Sequence, residues 1–208
     1  MCLYSQRMQV RAKNSLAARL AALGVPFCAR VLACALLIAA CGAAHAQPAP
    51  GEHGYADEER DWGIAPTNRL RQPPYHGPTP LQIPGAQLVN TRELQAMLAG
   101  PGSPILVDVL SGEGHLTLAG AAWISGAGRG ANFLDPVQSM LAPLLAQLAG
   151  GDKTRAMVFF CASAQCWLSY NAALRAVVAG YSRVYWYRGG IDAWIAAGLP
   201  TARTVAKR

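Results

Sequence analysis

From Gly85 onward the apolar positions of the chain fall into two alternating patterns. The unbroken apolar run at 156–160, and the run at 105–109 in which only Asp108 is polar, have the length and composition of strands buried on both faces of a parallel sheet. Further strands are predicted at 85–90 and at 183–187. Helical periods lie between them. Asn90 or Thr91 caps a helix through Leu98, with Gly100 beyond its end. Asp135-Pro136 opens another, carried by Val137, Met140, Leu141, Leu144, Leu145 and Leu148 and ended by Gly150-Gly151, with Pro143 predicting a kink or restart. A third carries Leu168, Ala172, Leu174, Val177 and Val178 and ends at Gly180, and Gly189-Gly190 turns into a last short helix with Trp194. Such alternation predicts an α/β domain over 85–204, a parallel sheet flanked by helices with right-handed crossovers. No internal repeat is present.

Before Gly85 both patterns vanish. Residues 47–84 hold Pro48, Pro50, Pro66, Pro73, Pro74, Pro78, Pro80 and Pro84 and have neither helical nor strand period. This predicts an extended arm, in part polyproline II, that builds no core of its own. It reads either as a linker lying along the domain or as a docking segment using Trp62, Tyr75 and His76. Residues 1–46 have a basic start, an apolar stretch at 31–40 and the ending Ala44-His45-Ala46, the pattern of a secretory signal peptide cleaved before Gln47. The basic start is long, so Met8 is a second candidate for the first residue. Cys41, after Ile38-Ala39-Ala40, gives a competing reading as a lipid-anchored residue. The apolar stretch is too short to span a bilayer. The expectation is therefore a periplasmic protein in an oxidising compartment.

Charge and cysteines sharpen this picture. The formal charge of +7 includes five basic residues and no acid in the first 46; thirteen basic and eleven acidic side chains remain, a net of +2. That excludes a nucleic-acid footprint. Of six cysteines, only Cys161 and Cys166 follow the leader, too few for a disulfide framework, so both thiols are read as chemistry. Cys161 ends a buried strand just before a helix, where amides and the helix dipole favour a thiolate. The amides from Ala162, Ser163, Ala164 and Gln165 to Cys166 and Trp167 are expected to surround an anionic sulfur on Cys161. Cys166 is read either as a resolving thiol that attacks a Cys161 persulfide or as an inward-packed helix start. Asp108, at the end of a strand, is expected to support the loop. Arg188 is expected to reach solvent or attract an anionic donor. His53, His76 and His115 share no ligand spacing with each other or with the cysteines, so no metal is expected, and no phosphate loop or other cofactor site is seen.

The order strand, Cys-x4 loop, helix, strand, Gly-Gly-Ile-Asp-Ala-Trp and Gly-Leu-Pro resembles the C-terminal half of a rhodanese domain. Asp61-Trp62-Gly63, the stretch from Pro73-Pro74-Tyr75-His76 to Pro80, Ile83-Pro84-Gly85-Ala86, Cys166-Trp167 with the six residues after it, and Val184-Tyr185-Trp186-Tyr187 are similar to one exported rhodanese-like family. Its members are called "PQQ-dependent catabolism-associated CXXCW motif" proteins. The chain departs from that name in having four residues between its cysteines. The resemblance implies a single rhodanese-like domain in a periplasmic, quinone-dependent alcohol-oxidation setting. The loop chemistry favours a sulfurtransferase or persulfide carrier using Cys161, with small sulfur-containing or thiol partners, and the resemblance adds components of a quinoprotein dehydrogenase system as partners. The alternatives are a thiol–disulfide protein cycling Cys161 and Cys166, and a binding module without catalysis. Leu110 and Cys166 stand where active relatives carry arginines, which weakens simple thiosulfate:cyanide transfer. His115 lies near the Gly-His pair of many relatives.

Overall fold

The computed structural model describes residues 57–204. The leader with Cys41, the stretch 47–56 with His53, and residues 205–208 lie outside the described residues. Strands β1 (Gln87–Val89), β2 (Ile105–Asp108), β4 (Ala122–Trp123), β5 (Met157–Phe160) and β6 (Val184–Tyr187) form one parallel sheet in the order β1-β6-β5-β2-β4. Helices α1 (Thr91–Ala99), α2 (Pro136–Ala149), α3 (Trp167–Val178) and α4 (Gly190–Ala196) cover it. A small antiparallel pair, β3 (Leu116–Leu118) and β7 (Thr201–Arg203), stands apart.

The strands sort their side chains by the two-residue period of the pleat. Met157, Phe159 and Cys161 pack with α2 and α3, together with Val107, Val184 and Trp186. Val158 and Phe160 face the other way, with Leu94 of α1 and Ile191 and Trp194 of α4. All four residues of β5 are buried, as an unbroken apolar run requires. The period thus delivers Cys161 to the α3 side of the sheet, at its carboxyl edge.

Local signals hold the helices. Asn90 and Glu93 make a full capping box on α1. Gly180, with φ +89°, follows α3, and the Tyr181 amide reaches back to the Ala176 carbonyl. Of the two outcomes expected at Pro143, a restart does not occur: α2 runs through it as one helix. Pro143 lies on the exposed face, so the carbonyl that loses its donor there faces solvent. The pair β3 and β7 was not foreseen, because three-residue strands are too short to show a period.

Asp135 caps α2 through the Gln138 amide and pairs with the buried Arg175 guanidinium at 2.7 Å. Burial opposes ionisation of Asp135. Arg175 and the amides of Gln138, Asn132 and Ala131 outweigh it and hold the carboxyl down at about 2. A lowered folded pKa gives stability that is present above the unfolded value and lost as pH falls through the folded one. About 2 kcal/mol of stability is therefore expected to disappear between roughly pH 4 and pH 2. Urea unfolding of wild type and Asp135→Asn across that range checks this: the variant should lack that part of the slope.

Candidate functional site

The site is built where β5 ends. Cys161 is 1% exposed and is joined by a disulfide to Cys166, which is 9% exposed. Their Cα atoms are 6.2 Å apart, within the span a disulfide bridges. Cys166 occupies the N-cap position of α3, so both sulfurs lie at the amino end of that helix. Gly190 closes the other side of the loop. Its φ is +63°, and a Cβ there would collide with the Cys161 carbonyl and the Ala162 backbone. The same close approach lets the Ile191 and Asp192 amides donate to the carbonyls of Cys161 and Ala162, both at 2.9 Å.

Every carbonyl from Cys161 to Cys166 has a donor. Besides those two, the Cys166 amide serves Ser163 at 3.0 Å, the Thr79 hydroxyl serves Ala164 at 2.6 Å, the Gly77 amide serves Gln165 at 2.9 Å, and the Ser169 hydroxyl serves Cys166 at 3.2 Å. The amides divide differently. Those of Gln165, Cys166 and Trp167 are committed to the Ser163 hydroxyl, the Ser163 carbonyl and the Tyr75 carbonyl. Those of Ala162, Ser163 and Ala164 donate to no described residue. Of the amides expected to surround an anionic sulfur over 162–167, those of Gln165, Cys166 and Trp167 are therefore not available for it. With its oxygens tied elsewhere, the short turn at 162–164 presents a surplus of N–H dipole, the chemistry of an anion nest.

Two of the carbonyl donors come from the arm, which is extended as expected but is no detached linker. His76 forms an isolated antiparallel bridge with Cys166. The Trp167 indole donates to the Pro78 carbonyl. Farther up, Thr67 exchanges bonds with the Tyr170 hydroxyl, and Arg71 does so with the Asn171 amide. Leu70 and Ile83 enter the core cluster that contains both cysteines. At the far end Glu58 is buried and accepts from the amide and hydroxyl of Thr91. Burial pushes the Glu58 carboxyl up, partly offset by those Thr91 bonds.

Arg188 corrects the sequence reading most sharply. It is 1% exposed rather than solvated. Its guanidinium donates to the Thr79 hydroxyl and to the carbonyls of Asp57, Glu58, Arg60 and Thr79, while the Trp62 ring lies over it at 4.5 Å. The expected reach for a donor fails because the arm consumes every N–H of the fork. Asp108 is fully buried; its carboxylate accepts from the Leu110 amide and faces His115 Nε2, both at 2.8 Å. His115 Nδ1 faces the Gly112 carbonyl at 2.7 Å, so both ring nitrogens meet acceptors. Asp108 and His115 therefore fix the turn after β2 beside the cysteine loop. The Leu110 side chain is partly buried and packs against both cores.

Residues 90–197, over half of the chain, match the family described as the rhodanese-like domain. The chain belongs to that family. Among solved structures, the thiosulfate sulfurtransferase from Pseudomonas aeruginosa is similar over 59% of this chain and 21% of its own, at 19% identity and a TM-score of 0.43. This chain thus spans about a fifth of that protein. The polysulfide-sulfur transferase homodimer from Wolinella succinogenes is similar over 57% of this chain and 79% of its own, at 20% identity and a TM-score of 0.42. No curated relative matches the chain.

In this rhodanese-like domain the structure brings together Cys161, Ala162, Ser163, Ala164, Gln165, Cys166 and Trp167, sets Asp108 at the end of the neighbouring strand, and assigns Arg188 to the arm. Sequence reasoning missed Thr79 and Gly77, both in a stretch without period. A cavity of about 370 Å3 lies at the opposite, amino end of the strands, against Glu93, Arg183 and Tyr185, and includes none of the loop. Among the described residues there is no cluster of metal ligands and no helix long and apolar enough to cross a membrane.

Proposed function

We propose that the protein is an exported sulfur-transfer protein in which Cys161 accepts a sulfane sulfur and Cys166 resolves it. The observation that carries this reading is the disulfide between the two cysteines in a loop whose amides at Ala162, Ser163 and Ala164 have no acceptor among the described residues. In the first step the Cys161 thiolate attacks the outer sulfur of thiosulfate or a polysulfide. A new S–S bond forms, and sulfite or the shortened polysulfide leaves with the electron pair of the broken bond. The amides of Ala162, Ser163 and Ala164 stabilise the persulfide anion. In the second step the Cys166 thiolate attacks the Cys161 sulfur, the disulfide forms, and hydrosulfide leaves with its electron pair. A dithiol reductant returns two electrons and restores both thiols. The near-complete burial of Cys161 in the disulfide means that loading follows reduction.

Thiol–disulfide exchange with a protein partner, without sulfur transfer, is the second reading, favoured by the same disulfide and by the absence of arginine at positions 110 and 166. The arm motifs shared with the exported family support placing either activity beside a periplasmic quinone-dependent alcohol oxidation. The test is the intact mass of the reduced mature protein before and after thiosulfate or inorganic polysulfide. Gain of one sulfur, then loss to the disulfide mass, is expected. A mass that neither donor changes, but that falls by two hydrogens on exchange with a disulfide such as oxidised glutathione, which leaves as two thiols, supports the second reading. A mass unchanged by the sulfur donors and by the disulfide overturns both.

A further inference from the structure

We propose that Thr79 and Arg188 are positioning residues of the cysteine loop, so that the arm is a working part of the sulfur site. This rests on the reading above. The Ala164 carbonyl differs from its neighbours in that its donor is itself held by a buried cation. The Thr79 hydroxyl donates to it at 2.6 Å and accepts from Arg188 Nε at 2.9 Å. Thr79 is fully buried, and Arg188 nearly so. A hydroxyl that accepts from a guanidinium is polarised and becomes the stronger donor in turn. Among the described residues the guanidinium makes no ion pair with a carboxylate, so its charge is directed along this relay and into the arm carbonyls.

The consequence lies on the inner side of the loop. The relay keeps the Ala164 oxygen turned outward, away from the amides of Ala162, Ser163 and Ala164. If the hydroxyl is removed, that peptide unit is free to turn its oxygen inward, and a partial negative charge then faces the reduced Cys161. Thiolate and persulfide both lose stabilisation, while the disulfide, which is neutral, does not. The relay therefore sets how readily the disulfide is reduced, although neither Thr79 nor Arg188 touches the reacting sulfurs.

The experiment is the equilibrium of the full-length protein with a dithiol reductant at neutral pH, read by trapping free thiols and measuring mass. Thr79→Val keeps the shape and removes the hydroxyl; it is expected to move the equilibrium toward the disulfide by at least about fivefold. Thr79→Ser keeps the hydroxyl and is expected to stay within about twofold of wild type. Arg188→Lys keeps the charge but loses the fork and is expected to shift in the same direction as Thr79→Val. Circular dichroism establishes that each variant is folded, and where Thr79→Val is not, Arg188→Lys decides. A folded Thr79→Val or Arg188→Lys indistinguishable from wild type, or Thr79→Ser shifted as far as Thr79→Val, would overturn the proposal. No sulfur donor enters this measurement, so its failure is separate from any failure of sulfur loading.

Discussion

Deletion of residues 57–80 is expected to abolish the cooperative unfolding transition of the domain. The segment supplies the acceptors of the Arg188 fork, the Glu58 carboxylate on Thr91, the carbonyls that take the Trp167 amide and indole, and the reciprocal bonds to Tyr170 and Asn171. Once the arm is gone the exposed groups rehydrate, so each bond costs its net value, ~1 kcal/mol. Loss of Leu70 burial and exposure of Tyr170 and Trp167 add ~1–3 kcal/mol per side chain. Together these losses rival the ~5–15 kcal/mol by which a domain is stable at all. A composition poor in apolar residues suggests instead that the arm is dispensable; that argument fails because the arm is held mainly by backbone hydrogen bonds, which composition does not report. Thermal unfolding followed by circular dichroism separates the two: a sharp transition near the wild-type temperature in the truncated protein would contradict the structure.

Cys161→Ser is expected to abolish sulfane loading, while Cys166→Ala leaves loading intact. A serine hydroxyl at position 161 remains protonated at neutral pH and makes no bond to sulfur comparable with a persulfide, whatever the nest around it. Cys166 enters only when the persulfide is resolved. Its sulfur is already within bonding range of Cys161 in the oxidised protein, so attack is intramolecular and carries the rate advantage of a preset geometry. Its removal should lengthen the persulfide lifetime on the order of tenfold or more. Labelling with radioactive thiosulfate, followed by gel filtration, reads both variants. Retention of label by Cys161→Ser would remove Cys161 from its role.

How much of this was legible in the chain depends on what each feature encodes. The parallel sheet and its helices follow from unbroken apolar runs and caps, and strand β5 with its cysteine was visible because burial on both faces leaves no polar position. Helix α3 carried a further signal. Ser169, Asn171 and Arg175 fall on no single stripe, and residues 167–176 are all buried. A helix without a polar face is enclosed on every side, and its polar residues announce a covering segment: Asn171 holds Arg71, Ser169 bridges Cys166 and Trp186, and Arg175 holds Asp135. The identity of that cover was not legible, because the arm binds through carbonyls that any residue possesses. Arg188 shows the same limit. Its sequence neighbours are a strand and a Gly-Gly turn, and nothing local says that five hydrogen bonds await it from residues more than a hundred positions away.

The division of labour between the two thiols is tested most directly by following the intact mass of reduced protein over time after a brief exposure to thiosulfate or polysulfide, for wild type and Cys166→Ala together. Wild type should gain one sulfur, then lose it and settle two hydrogens below the reduced mass, with hydrosulfide released in equal amount. Cys166→Ala should gain the same sulfur and keep it. Equal lifetimes in the two proteins, or a wild-type disulfide formed without hydrosulfide, would contradict the account.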